Sequence, residues 1–167
     1  MTVTFPVAKA EMLIRRPVSE VYEAFIDPAI TSKFWFTRGS ARLEAGKQVQ
    51  WDWDMYGASA PVQVLELEVN KRIVIHWGTN AEWTFTAQSE NETFVTITDS
   101  GFEGEAEEVV QQAIGSTEGF TIVLCGLKAY LEHGIQLNLV YDKAPYAHVN
   151  KPEVTDEQDD SGEVEFT

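Results

Sequence analysis

The side chains able to do chemistry in this chain are few and far apart. Its three histidines, His76, His133 and His148, are widely separated and none falls in HExxH or another ligand spacing, so each reads as a surface or core-rim side chain. Cys125, the single cysteine, falls on the side of a helical stretch away from the apolar residues. With no histidine at helical neighbour spacing to activate it, it reads as a structural thiol rather than a nucleophile. Asp52 and Asp54 alternate along a strand and share one face, the arrangement of an acid/base pair. The same alternation sets Trp51 and Trp53 on the other face, which turns both carboxylates to solvent. Neither GxGxxG nor GxxxxGKS/T occurs. The sequence thus predicts no catalytic residue, no metal and no cofactor.

Large rings are in better supply. Trp35, Trp51, Trp53, Trp77 and Trp83 stand with Phe34, Phe36, Phe85, Phe120 and Tyr130, more than a small sheet-helix core usually needs to fill itself. Core packing accounts for most of them. Small residues among them, Gly119, Gly126 and Ala87, leave surfaces that need not close, and an apolar pocket with few polar groups is the usual small-molecule site. Strand and helix parity assigns Trp51, Trp53, Ile75, Trp77, Trp83 and Phe85 to such a pocket from a sheet, and Phe120, Leu124 and Leu127 from a helix. Trp35 is placed near its mouth.

The element that must organise these rings is the stretch Ser116 to Gly134. Phe120, Val123, Leu124, Leu127, Tyr130 and Leu131 recur at three- and four-residue steps, the pattern of a helix with a wide apolar face. Ser116 is the expected N-cap, Glu118 suits the first turn and Gly134 supplies the stop. Gly119 and Gly126 each cost about 1 kcal/mol of helix stability relative to alanine. Close packing of a strand is the favoured reason for them, over room for a ligand.

Before this helix the chain reads mostly as strand. Ala8 to Ile14 alternates, then Pro17 opens a short helix reaching Asp27-Pro28, and Pro28 to Phe36 reads as a second. Val49 to Met55 alternates cleanly. Val62 and Val64 change parity to Leu65, Leu67 and Val69, which predicts a bulge near residues 64–65. Strands around Ile73 to Trp77, Trp83 to Ala87 and Phe94 to Thr98, joined by short turns, complete an antiparallel meander. Glu105 to Ile114 is an acidic helical lead-in, expected to break at Gly115-Ser116. Ile135 to Tyr146 offers a homodimer contact or a cover for one end of the sheet.

Composition bounds the function. A length of 167 residues with 44% hydrophobic content suits one domain, assigned to residues 1–149, with a core that needs no disulfide or metal staple. Residues 150–167 are acidic, poor in apolar residues and read as a disordered tail. The formal charge of −15 repels phosphate backbones and argues against nucleic acid as a partner. No stretch approaches transmembrane length, and a single cysteine fits a reducing cytoplasm.

The order of these elements predicts an α+β fold, a curved antiparallel sheet wrapped around a long C-terminal helix with two short helices after the first strand. Together with RRPVSEVYEAFIDP, the Phe34-Trp35 pair, DSGFEGE at residues 99–105 and EGFTIVLCGLKAYLEHG, this order resembles the START-related SRPBCC superfamily. Within it the chain is similar to the C-terminal domain of the activators of the Hsp90 chaperone ATPase, over roughly residues 8–148. Gly119-Phe120 replaces that family's usual Gly-Trp. The resemblance implies a helix-grip fold, with a deep apolar cavity between sheet and helix in many relatives. It does not supply a reaction, because the superfamily includes lipid carriers, hormone receptors, polyketide cyclases and chaperone activators. True chaperone activators also pair this domain with an N-terminal one absent from this sequence. The leading expectation is a non-enzymatic protein that binds a small hydrophobic or aromatic molecule or a lipid. A chaperone-associated interaction module is the alternative. A cyclase-like enzyme using His76 or Tyr130 ranks third.

Overall fold

A computed structural model describes residues 5–149. Seven strands form one antiparallel sheet in the order β1-β7-β6-β5-β4-β3-β2. These are β1 (Ala8–Ile14), β2 (Arg38–Gly39), β3 (Gln48–Trp53), β4 (Ala58–Glu68), β5 (Arg72–His76), β6 (Asn80–Ser89) and β7 (Glu92–Ser100). The meander from β3 to β7 is closed at one edge by β1, which pairs with β7 from Ala8 opposite Asp99 to Ile14 opposite Thr93. The predicted bulge lies in β4, where the register against β5 shifts between Val64 and Glu66. It ends the inward run of Val62 and Val64 and leaves Leu65 exposed.

Among the described residues there are four α-helices: α1 (Val18–Ile26), α2 (Pro28–Thr31), α3 (Ala106–His133) and α4 (Leu139–Asp142). The sheet curls into a half-barrel around α3, which packs against β1 and β7. Three expectations about these elements are corrected. The lead-in and main helix are one continuous α3, with no break at Gly115-Ser116. Its N-terminus is fixed at Glu105, whose backbone N–H donates to Glu108 Oε1 at 2.9 Å. Ser116 does not cap, because its hydroxyl reaches across to Asp99 at 2.7 Å. Second, α2 stops at Thr31, so the rings of residues 34–36 sit in a loop. Third, β3 ends at Trp53, and Met55 falls in a short 3₁₀ turn, Asp54–Tyr56, closed by Gly57 in a left-handed conformation.

The C-terminal end of α3 is tied to the end of β1. Glu132 accepts from the Arg15 backbone N–H and from Lys128 Nζ, each at 2.7 Å, and Lys128 also donates to the Leu13 carbonyl at 2.8 Å. Burial alone would push the Glu132 carboxyl up, but the Lys128 ammonium and the Arg15 N–H outweigh it and hold the group below its ordinary value of 4.5. A depressed carboxylate stabilises the fold above its unfolded value and loses that contribution as pH falls through the folded value. Glu132→Gln should therefore cost roughly 1 kcal/mol at neutral pH. Urea denaturation should show the gap from wild type closing as pH drops below about 4.5.

Candidate pocket between the sheet and the long helix

The rings cluster around Trp35. Its centroid lies 4.8 Å from Trp51, 5.7 Å from Phe120 and 5.8 Å from Trp77. Phe36 stacks on Trp51 at 5.0 Å. Most of the predicted pocket residues are consumed in this packing. Trp51, Ile75, Trp83, Phe85, Leu124 and Leu127 are buried in one continuous core, and Trp53 packs partly buried at its rim. Trp35 itself is buried in the middle of the cluster rather than standing at its edge.

An opening remains beside the first half of α3. A pocket of about 260 Å³ is lined by Trp35, Trp77 and Phe120, three of the ten residues named from the sequence. The other lining residues are Gly115, Ser116, Gly119, Ile122 and Val123 of α3, Asp99 of β7, and Val140 and Lys143 from the segment after α3.

The two glycines singled out in the sequence play different parts. A Cβ at Gly126 would stand 3.3 Å from both the Cβ and the carbonyl oxygen of Phe34, so this glycine lets a loop, not a strand, approach the helix. A Cβ at Gly119 or Gly115 would meet nothing within 4 Å. These two leave the pocket open.

The polar pole of the pocket is Asp99. Residues Thr93, Val95, Ile97 and Asp99 alternate on the buried face of β7, which carries the carboxylate into the interior. Asp99 is 3% exposed and accepts from Thr79 Oγ1 at 2.5 Å and Ser116 Oγ at 2.7 Å. The indole N–H groups of Trp77 and Trp83 are both buried and have no partner among the described residues. Lys143 pairs with Glu118 at 3.4 Å. Sequence reasoning missed Asp99 because it ended the last strand at Thr98; the parity of Val95 and Ile97, carried one step further, was the available signal.

The remaining chemical candidates stand elsewhere. None of the three histidines lines the pocket: the His76 ring contacts Asn80 Oδ1, His133 is exposed and the His148 ring contacts the Tyr141 carbonyl. Cys125 is partly buried. Asp52 and Asp54 share Arg38 as a counter-ion. Asp52 also accepts from Ser59 and Gln50, and these hydrogen bonds with the Arg38 charge hold its carboxyl below the usual range. That keeps it ionised and unsuited to donating a proton. Among the described residues no three His, Cys, Asp or Glu side chains gather as metal ligands, and no helix is long and apolar enough to cross a membrane. The acidic tail of residues 150–167 lies outside the described residues.

The segment after α3 folds back on the body. Tyr56 donates its hydroxyl proton to the Val140 carbonyl at 2.5 Å, and the Val149 N–H donates to the Met55 carbonyl at 3.0 Å. This brings Val140 and Lys143 to the pocket.

A half-barrel sheet curled around a long C-terminal helix, with an opening between them, is the helix-grip fold of START-related proteins. Residues 15–132 match the family described as Activator of Hsp90 ATPase homolog 1-like protein. The chain belongs to that family. Among solved structures it is similar to the protein SSP2350 from Staphylococcus saprophyticus, at 32% identity and a TM-score of 0.71, over 79% of this chain and 96% of the other. It is also similar to DynU16, a protein in the dynemicin biosynthetic locus, at 25% identity and a TM-score of 0.65, over 78% of this chain and 48% of the other. The Aha1 dimer from Colwellia psychrerythraea, at 20% identity and a TM-score of 0.66, shares the fold over 77% of this chain and 98% of that one. No curated protein matches the sequence.

Proposed function

We propose that this chain is a binding protein that holds a compact apolar or aromatic molecule in the pocket between Trp35, Trp77 and Phe120. The observation that carries this reading is the space above Gly115 and Gly119, which no protein atom fills although three aromatic residues line the same pocket. A volume of about 260 Å³ favours a compact ring-sized occupant over a lipid chain. The reading is one of binding: the lining is mostly apolar, and its one carboxylate, Asp99, already accepts from Thr79 and Ser116.

Gly119→Leu tests it. The new side chain enters empty space, and the helix gains up to about 1 kcal/mol from losing a glycine. In wild type, titration with p-cresol should move the Trp35 and Trp77 indole N–H resonances saturably. In Gly119→Leu those shifts should vanish while thermal stability holds or rises. Identical titrations in both proteins would place the ligand elsewhere and sink the proposal.

The family description favours a second reading, a module that engages the Hsp90 chaperone. Stimulation of purified Hsp90 ATPase by this chain, unchanged by Gly119→Leu, would move the weight to that reading.

A further inference from the structure

The chemistry of the pocket wall narrows the occupant, an inference that rests on the pocket being a binding site. Asp99 is buried and its two oxygens receive one hydroxyl each, yet no Lys, Arg or His lies within ion-pair distance of it among the described residues. A carboxylate offers about four acceptor sites, so roughly two are open. A buried charge needs a partner, and two neutral hydroxyls do not cancel one. Lys143 lines the same pocket, but its ammonium is turned to Glu118. Asp99 shares the pocket lining with the rings of Trp35, Trp77 and Phe120, and aromatic faces attract a cation. The strongly acidic chain draws cations toward such a site.

We infer that the pocket takes a small organic amine with an aromatic body, its ammonium paired with Asp99 and its ring set among Trp35, Trp77 and Phe120. The experiment is isothermal titration of the full chain with three isosteres. These are tyramine, 4-ethylphenol, which lacks the amine, and 3-(4-hydroxyphenyl)propionate, which carries a carboxylate in its place. Tyramine should bind at least about tenfold more tightly than 4-ethylphenol, the worth of one charge-assisted hydrogen bond, and the propionate most weakly. Asp99→Asn should collapse the preference for tyramine over 4-ethylphenol. Should that variant fail to fold, the wild-type order decides alone. If 4-ethylphenol or the propionate binds as well as tyramine, the amine inference is wrong and the pocket reading survives. If none of the three binds while Gly119→Leu leaves p-cresol shifts unchanged, both fall.

Discussion

Replacing Trp35 with alanine is expected to remove about 3–5 kcal/mol of folding stability, the usual cost of deleting a buried indole. Trp35 is 7% exposed, and its ring centre lies between 4.8 and 6.4 Å from those of Phe25, Phe36, Trp51, Trp53, Trp77, Trp83 and Phe120. Those partners come from α1, the loop after α2, strands β3 and β6, the turn between β5 and β6, and α3, so no single element can shift to fill the void. Urea unfolding should show a lower midpoint with an unchanged slope. A loss under about 1 kcal/mol would mean that the cluster repacks without its central ring.

The second large effect is expected at Gly126. Leucine there must displace Phe34, whose backbone oxygen as well as its Cβ lies 3.3 Å from the site of the new Cβ. Backbone yields less readily than a side-chain tip, so overpacking should cost about 1–3 kcal/mol despite the gain in helix propensity. Gly119→Leu, one heptad away on the same helix, is the control. Equal thermal stability of the two variants would contradict the contrast between a closed contact at 126 and an open one at 119.

That contrast shows what the sequence could and could not reveal. Period and punctuation were legible: Ala8–Ile14, the bulge after Val64 and the Gly134 stop all follow from local pattern, and all are present. The start of α3 was not, because Ser116 before an apolar run looks like a cap. Its hydroxyl is instead claimed by Asp99, a partner seventeen residues away that only the curled sheet brings near. β2 escaped for a different reason. Two residues, Arg38 and Gly39, carry no period, and their pairing with Asp52 and Trp51 is a tertiary fact. The pocket divides in the same way. Trp77, in the turn after β5, and Phe120, on α3, border the opening, but which rings fill space and which border it depends on how far the sheet curls around α3, and no residue encodes that alone.

The closing segment carries a consequence for how such proteins diverge. The family match ends at residue 132, while Val140 and Lys143, which complete the pocket, lie beyond it. The pocket is therefore built from two stretches: Asp99, the rings and the helix glycines within the family match, and one wall contributed by the segment beyond it. Residues 135–149, anchored through Met55 and Tyr56, form a wall that can be altered while the sheet, α3 and Asp99 stay as they are.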